Sequence, residues 1–292
     1  MLLALSSPAW SQSGAQERIN SQGTFTGLSA SEDALLEEDS GKIVASAAAV
    51  SKAPAKPKYF SISFVNLIEY NSNARLSNVD QEGDVLFMPS LDFGFYRPLG
   101  AGFSAIAGAN VNSTFFADFD ESSFWGASGR FGVDYRYNRV LPRVYATFNP
   151  YYYQSYDTGD HITEALSFAV GADNQHVFNQ DRTAVFYAFD YSYYATSPAA
   201  DSRESVRATV GLTQSIFKNA FLQPFYTFQY SNYFNQPRED FRHAFGLAFI
   251  YDFTPWLSAR LYGNYAKNYS SLDAADYENF AAGAGSGITV RF

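Results

Sequence analysis

Residues 205–216 read Ser205-Val-Arg-Ala-Thr-Val-Gly-Leu-Thr-Gln-Ser-Ile216, and this segment alternates between two kinds of side chain. Its even-numbered positions are mostly apolar, whereas its odd-numbered positions are small, hydroxylated or charged. Because successive side chains of a β-strand point to opposite faces, the alternation predicts a strand with one apolar and one polar surface. The segment also has the length of a tilted strand that crosses a lipid bilayer, about 9–11 residues.

The same alternation recurs from Tyr59 to the C-terminus and predicts twelve antiparallel strands, with ten or fourteen as the alternatives. Turn-forming residues separate the predicted strands from one another. The strands lie near residues 59–72, 84–96, 102–116, 122–137, 143–156, 163–178, 183–196, 203–217, 220–234, 240–253, 256–269 and 277–292.

The first two predicted strands illustrate how the two faces differ. One face carries Phe60, Ile62, Phe64, Ile68, Tyr70, Val85, Phe87, Leu91, Phe93 and Phe95. The other face carries Ser61, Ser63, Glu69, Asn71, Asp84, Ser90, Asp92 and Gly94. A water-soluble barrel or sandwich would turn its bulky residues inward, and the polar face is too small and too polar to form a packed core. The pattern therefore favours a barrel whose outer surface meets lipid.

The connections between the predicted strands fall into two classes that alternate along the chain. The first class is short and contains Arg, Lys, Asn or Pro, as in residues 97–100, 138–143, 179–182, 218–219 and 254–255. The second class is more acidic, with two or three carboxylates in each connection. Short turns at one rim and longer loops at the other are typical of even-stranded transmembrane barrels. The loops are nevertheless short, so no insertion that narrows the pore is predicted.

Aromatic residues make up 18% of the chain, with 28 Phe, 22 Tyr and 3 Trp. Aromatic side chains of membrane proteins collect where hydrocarbon gives way to headgroups. One girdle is predicted near the short turns, from Phe93, Phe95, Phe103, Tyr135, Tyr137, Tyr251 and Phe253. The other is predicted near the acidic loops, from Tyr70, Phe115, Tyr152, Tyr191, Tyr193, Tyr230 and Tyr265.

Composition and charge exclude several classes of protein. The chain has no Cys, so it forms no disulfides, and its net charge of −9 argues against nucleic-acid binding. No run of about 18 apolar residues follows the N-terminal segment, so a bundle of transmembrane helices is excluded. Without such helices, a chain spans a bilayer only as a closed barrel, which satisfies every backbone polar group.

The last predicted strand ends with Phe280-Ala-Ala-Gly-Ala-Gly-Ser-Gly-Ile-Thr-Val-Arg-Phe292. Its apolar face, which includes Phe280, Ile288, Val290 and Phe292, resembles the C-terminal insertion signal of Gram-negative outer-membrane β-barrel proteins. The resemblance is porin-like, covers residues 59–292 as an architecture and singles out no subfamily. It implies an all-β, transmembrane, antiparallel up-and-down barrel in the cell outer membrane. The implied partners are outer-membrane lipid, lipopolysaccharide and, during biogenesis, the barrel-insertion machinery.

The N-terminal part of the chain differs from the barrel segment. Residues 1–11 form a short apolar run that ends in Ala9-Trp10-Ser11, which predicts a signal peptide cleaved after Ser11 and hence export. Residues 12–58 are rich in Ser, Ala, Glu and Lys and predict a mostly disordered periplasmic linker. A short helix within residues 31–50 and a plug that enters the pore are the alternatives for this segment.

The polar face brings charges of both signs to membrane depth. Seven of them are predicted to line the lumen: Asp92, Arg130, Asp134, Asp190, Arg207, Arg242 and Arg260. They form either a constriction that selects solutes or a network of ion pairs that fills the lumen. Aromatic residues on the same face are predicted to fill space, with stacking on sugars or nucleosides as the alternative: Tyr145, Tyr151, Tyr153, Phe186, Tyr194, Phe221, Phe225 and Tyr262.

Two prolines, Pro89 and Pro150, fall in the middle of predicted strands. Proline has no amide hydrogen to donate, and a closed barrel has no free edge at which the missing donor is harmless. A β-bulge is therefore predicted at each of these positions.

No pattern in the sequence predicts a catalytic, cofactor or metal site. His161 lies in an acidic loop with Asp157 and Asp160, but no Ser stands at a short fixed spacing from it on the same face, as nucleophilic catalysis would need. His243 is predicted to face lipid, and His176 to lie beside a turn. The sequence has no EF-hand, P-loop, dinucleotide or zinc pattern. We therefore predict that the protein is not an enzyme and needs no cofactor.

Three functions fit this sequence. The leading hypothesis is a porin-like outer-membrane channel for passive diffusion of small hydrophilic solutes. The second is a structural or partner subunit of an envelope or secretion complex, with a closed lumen. The third is an autotransporter-like barrel that is plugged by its N-terminal segment.

Overall fold

The computed structural model describes residues 58–78, 81–138, 140–179 and 182–292. The predicted signal peptide and all but Lys58 of the predicted linker lie outside the described residues. No helix in the described part of the chain has the length and hydropathy needed to cross a lipid bilayer.

The described chain forms one closed barrel in which every strand pairs with its neighbours in sequence and the last pairs with the first. This confirms the prediction of a twelve-strand antiparallel up-and-down barrel. The strands are β1 (Phe60–Asn71), β2 (Asp84–Gly100), β3 (Phe103–Phe116), β4 (Phe124–Tyr135), β5 (Arg143–Ser155), β6 (His161–Phe178), β7 (Thr183–Ser197), β8 (Arg203–Phe217), β9 (Ala220–Tyr233), β10 (Glu239–Thr254), β11 (Leu257–Ser270) and β12 (Tyr277–Arg291).

Closure is made by β1 and β12, which pair from Ser61 opposite Arg291 to Asn71 opposite Ala281. The terminal residue extends this pairing, because Phe60 and Phe292 exchange two backbone hydrogen bonds of 3.0 Å. Their rings also stack, with centroids 5.9 Å apart. The last residue of the chain therefore takes part in the closure that removes exposed strand edges.

The two rims are defined by the connections, and we call them the turn rim and the loop rim. The turn rim holds the connections after β2, β4, β6, β8 and β10, together with the two ends of the barrel segment, and the connections after β2, β8 and β10 are two residues long. The loop rim holds the other connections, of which residues 72–83 are the longest. The two-residue turn after β2 has positive φ at Gly100, Ala101 and Gly102, a conformation that glycine adopts without strain.

Large apolar side chains cover the outside of the barrel, as the alternation predicts. Ile68 on β1, Phe245 on β10 and Leu261 on β11 are each 56–58% exposed. Such a surface is unfavourable in water and favourable against acyl chains. Aromatic pairs mark both rims: Phe103–Tyr135 and Tyr251–Phe253 at the turn rim, and Phe87–Phe115 and Tyr230–Phe241 at the loop rim.

The predicted bulges at Pro89 and Pro150 are wrong. Pro89 keeps its place opposite Asn66 on β1, and on the β3 side the pairing stops after Phe87 and resumes at Ser90 in the same register. Pro150 behaves in the same way between β4 and β6. Because both backbone groups of a strand residue point to one neighbour, a proline opens the ladder on that side only. The observed register shifts lie near strand ends, at Pro98/Gly100, Tyr153/Gln154, Ser215/Phe217 and Asp252/Thr254.

Candidate functional site in the lumen

Inward-facing aromatic rings sit over glycines on the neighbouring strand. Phe186 on β7 is the direct register partner of Gly211 on β8, and a Cβ added to that glycine would overlap the ring. Three further hairpins repeat the arrangement, with the pairs Tyr145–Gly171, Phe225–Gly246 and Tyr262–Gly283.

This geometry fixes the direction in which the rings lie. A ring whose tip reaches the backbone directly opposite must run along the wall, from one strand to the next. The four rings therefore occupy the space that the glycines leave, and they do not project across the lumen. The same fit appears at the loop rim, where Tyr153 lies over Gly126.

Glycine also faces two of the predicted lumen arginines. Arg130 on β4 stands opposite Gly108, and Arg260 on β11 stands opposite Gly285. The side chain of Leu67 also reaches over Gly285 from β1. The neighbouring strands thus leave room around these long side chains.

The middle of the lumen holds an ion pair between two of the predicted residues. Arg207 Nε donates to Asp190 Oδ2 over 2.9 Å, and the two residues are register partners on β8 and β7. Asp92 accepts a hydrogen bond of 2.6 Å from the Asn110 amide on the next strand. Both carboxylates are thus bound to neighbours along the wall, as charges at membrane depth require.

The turn rim holds a carboxylate cluster around Arg143. Arg143 binds Asp173 through two hydrogen bonds, of 3.2 Å from Nε and 2.6 Å from Nη2, and it lies 3.7 Å from Asp134. All three residues are buried. The sequence places Arg143 at the boundary between the turn of residues 138–143 and the strand near residues 143–156. In the structure it is the first residue of β5 and points inward, opposite Asp173, and only the register brings the two together.

A second cluster at the loop rim was also missed. Arg203 stacks between Tyr194 and Tyr233, at 4.6 and 5.6 Å from their ring centres, and Arg238 lies 4.5 Å from the same Tyr233 ring. Arg238 also binds Asp240 with hydrogen bonds of 3.0 and 2.6 Å. Arg242, the remaining predicted lumen residue, lies on β10 two residues after Asp240. The stacked rings and guanidinium groups hold the loops after β7 and β9 to the barrel.

Asp201 lies in the loop between β7 and β8, beside this cluster. Burial raises the pKa of the Asp201 carboxyl above its usual value, and the charges of Arg203 and Arg238 partly oppose the increase. The carboxyl is therefore a titrating group at the mouth, outside the membrane-spanning strands.

An apolar cluster occupies part of the lumen at the loop rim, which corrects the prediction of an inner face too polar to pack. Leu86 and Phe124 are fully buried, and they pack with Phe116, Ile162 and Ala74. Each of these five residues comes from a different element, namely β2, β3, β4, β6 or the first loop. No single strand therefore carries enough of them to reveal the cluster in its sequence.

The described residues of the first loop, 72–78 and 81–83, fold against this cluster, so the prediction that no loop narrows the pore is also wrong. Asn73 is completely buried and donates hydrogen bonds to the carbonyl oxygens of Ser77 and Glu278. Arg75 stacks 3.9 Å from the centre of the Phe119 ring and binds Glu121 over 2.7 Å. The mouth is consequently narrowed on the side of β1–β6.

The three histidines all stand on the outer surface. His161 contacts the Tyr152 ring, His176 contacts the Tyr187 ring, and His243 Nδ1 lies 2.8 Å from the Tyr226 hydroxyl. Among the described residues, no group of three or more His, Asp and Glu side chains could hold a metal ion. The residues of the predicted insertion signal, Phe280, Ile288, Val290 and Phe292, are likewise exposed on the outside.

No protein-family model and no curated protein match this chain. Solved structures, in contrast, do match this chain. The COG4313 outer membrane channel from Pseudomonas putida F1 is 13% identical, with a TM-score of 0.56, over 82% of this chain and 100% of that chain. The CymD monoaromatic hydrocarbon channel is 10% identical, with a TM-score of 0.47, over 80% and 89%. The KdgM porin with oligogalacturonate is 12% identical, with a TM-score of 0.45, over 76% and 97%.

At this level of identity the likeness establishes the fold alone. The chain has the fold of Gram-negative outer-membrane β-barrel proteins, and the neighbours single out no subfamily.

Proposed function

We propose that the protein is an outer-membrane channel that passes small hydrophilic solutes by passive diffusion, and that it is not an enzyme. The observation that carries the proposal is the placement of the inward rings over glycines in four hairpins. Because these four rings run along the wall, they do not project across the centre of the lumen. A twelve-strand barrel is wide enough for a narrow aqueous path once its inner residues lie along the wall.

The charges on the wall suit weak selectivity. Asp190 and Arg207 neutralise each other, and Asp92 shares the inner face with Arg130 and Arg260, so the wall carries charges of both signs. A pore lined by paired charges discriminates among small ions only modestly, whereas a ring of one sign would discriminate strongly. At the loop rim the apolar cluster covers the mouth on the side of β1–β6. Solutes would therefore pass on the opposite side, along β7–β12.

Orientation and export belong to the same proposal. The turn rim, which also holds the chain ends of the barrel, faces the periplasm, and the loop rim faces outward. Residues 1–11 direct export, the insertion machinery reads the last strand, and lipid and lipopolysaccharide surround the outer surface.

Planar-bilayer recording tests the proposal. Purified full-length protein should give discrete open steps in concentrated KCl, and protein that lacks residues 12–57 should give steps at least as large. Steps that appear only after the deletion would support the autotransporter-like alternative, in which the N-terminal segment plugs the pore. Silence of both forms, with the barrel folded, would contradict a channel.

The packed apolar cluster favours one second candidate, a structural or partner subunit with a closed lumen. Leu86 and Phe124 are as buried as residues of a protein core, and such packing at the mouth would suit a barrel that passes nothing. Silence of both forms in the recording is the outcome that this candidate expects.

A further inference from the structure

The lipid-facing wall carries a groove of about 600 Å³ on the side of β9–β12. Its walls are apolar side chains, principally Leu222, Phe245, Leu247, Phe249, Leu261 and Phe280. Several of them are more than 45% exposed, so they point away from the barrel and toward the membrane. The groove is therefore distinct from the lumen and from the path proposed for solutes.

The groove exists because small residues interrupt the apolar surface. Gly263 on β11 faces outward, and its register partners are Leu247 on β10 and Ala282 on β12. A Cβ added to Gly263 would meet only the Ala281 carbonyl oxygen, at 3.9 Å, so open space lies above it. Bulky side chains on β10 and the Phe280 ring on β12 stand on either side of this floor. The result is an open apolar depression on the lipid-facing surface.

A cation lies beyond the groove toward the loop rim, past Tyr265 on the same strand face. Lys267 is four residues beyond Gly263 on the same strand and shares its outward face, a distance of about 13 Å along the strand. Its ammonium lies 3.3 Å from Glu278 Oε2 and 5.2 Å from the centre of the Tyr269 ring. These contacts hold the side chain in place, and one carboxylate oxygen uses only one of its three donors.

A second polar group stands beside it. His243 on β10 is the direct register partner of Lys267. Its Nδ1 lies 2.8 Å from the Tyr226 hydroxyl, and its ring lies between the rings of Phe228 and Tyr269. When Tyr226 donates to Nδ1, the proton of the neutral imidazole is on Nε2, where it is a further donor.

We propose that the groove over Gly263 and the Lys267–His243 pair beyond its end form a binding site for a phosphorylated lipid of the outer leaflet, the lipopolysaccharide. One acyl chain lies in the groove, and a phosphate on its sugar headgroup accepts hydrogen bonds from Lys267 and His243. Phosphate attracts an ammonium strongly at a partly dehydrated membrane interface. Glu278 holds Lys267 in place through one of its three donors. The phosphate accepts hydrogen bonds from the donors that remain. The inference requires the loop rim to face outward and does not require solute passage.

Lipid retention tests the site. Full-length protein and its variants are extracted from outer membranes, washed through detergent, and examined by native mass spectrometry for bound lipopolysaccharide. Lys267→Ala removes the cation, and Gly263→Leu fills the groove without a backbone clash. Lys267→Ala should reduce retention about tenfold, the size of one lost charged hydrogen bond. Gly263→Leu should reduce retention because the acyl chain loses its place in the groove. Lys218→Ala at the turn rim and Ala127→Leu on the outer face of β4 are the matched controls, and both should retain lipid like the wild type.

The phosphate is tested separately by reconstitution. Lipid-free barrel is titrated with lipid A that carries its phosphates, with the same lipid after dephosphorylation, and with inorganic phosphate as competitor. Only the phosphorylated lipid should bind well, and millimolar phosphate alone should not displace it, because the acyl chain contributes. Equal binding of both lipids, or equal retention by wild type and Lys267→Ala, would overturn the proposal.

Folding and channel function are checked in the same preparations. Lys267→Arg keeps the charge and should restore most of the retention, which separates a lost contact from a misfolded barrel. Folded barrel is verified by heat-modifiable gel mobility. Because none of these residues faces the lumen, conductance should be unchanged, so failure of the lipid site leaves the channel proposal untouched.

Discussion

The ring of Phe225 on β9 lies over the backbone of Gly246, the residue directly opposite it on β10. The arrangement is a matched pair, since a Cβ at position 246 would occupy the position of the ring. A glycine within a strand normally weakens it, because it adds no packing and loses more backbone entropy. Here the ring of the partner strand covers the exposed backbone and supplies the missing contact. The pair therefore stabilises the wall and keeps the ring out of the lumen.

Replacement of Gly246 by Val should narrow the pore. The new side chain displaces the Phe225 ring from the wall, at a cost of about 1–3 kcal/mol in stability. Single-channel conductance should fall clearly, and Phe225→Ala in the same molecule should restore it. Gly287→Ala is the matched control, because its nearest neighbours are at 3.5 Å or more and no ring covers it. A Gly246→Val channel with unchanged conductance would contradict the account of the rings.

Removal of the Arg207 guanidinium should make the pore prefer cations. Asp190, whose side chain is only 9% exposed, would then keep its charge without its partner. Breaking such a pair typically costs about 3–5 kcal/mol. Reversal potentials in a KCl gradient should shift toward K⁺ selectivity for Arg207→Ala, and urea unfolding should occur earlier. The double variant Arg207→Ala/Asp190→Ala should recover most of the wild-type ion selectivity and most of the stability against urea. A double variant that differs from the wild type as much as Arg207→Ala does would argue against a coupled pair.

Truncation of Phe124 should loosen the cluster that narrows the mouth. The ring is fully buried among Leu86, Phe116 and Ile162, so Phe124→Ala leaves a cavity and should cost about 3–5 kcal/mol. Conductance should rise because the loop of residues 72–83 loses its support. Phe131→Ala on the same strand is the control, since that ring is 53% exposed to lipid and its loss opens no enclosed space. Unchanged unfolding of Phe124→Ala would show that the cluster is not packed.

The carboxyl of Asp201 should make stability depend on pH. Its pKa is raised by burial in the folded barrel, so the folded state binds a proton that the unfolded state has already released. Stability is therefore greater below the unfolded pKa and falls as the pH rises through the raised pKa. Asp201→Asn should flatten this part of the profile and make the barrel more stable near neutral pH. Urea unfolding in detergent between pH 3 and pH 7 measures the free energy of unfolding of both proteins. Parallel pH profiles of the wild type and Asp201→Asn would contradict a raised pKa at Asp201.

Much of the architecture could be read from single strands. In β8, the residues from Val206 to Ile216 alternate in a way that only a strand with two different surroundings explains. The period of two also placed the seven predicted lumen charges on the inner face. In the structure, each of them lies on a strand face that alternates with exposed apolar residues. Their role along a solute path stays a prediction.

The errors share a cause, because each depended on a partner that is distant in sequence. Pro89 and Pro150 needed no bulge, since the ladder opens toward one neighbour and continues toward the other. Arg143 stood at the boundary of a predicted turn and a predicted strand, and only its register partner Asp173 identifies it as part of an inner cluster. The buried cluster that contains Phe124 draws its residues from four strands and a loop, so no local sequence pattern indicates it.

The alternation of a strand is a local property of the backbone, so the sequence alone was enough to predict the strands and the face on which each side chain stands. It left ten, twelve or fourteen strands open, and closure of the sheet fixes twelve. Which ring covers which glycine, which arginine meets which carboxylate and where the mouth is narrowed were decided only by the tertiary structure. Those relationships depend on register and on closure of the sheet. A shift by one residue would move every side chain to the other face and leave the composition unchanged.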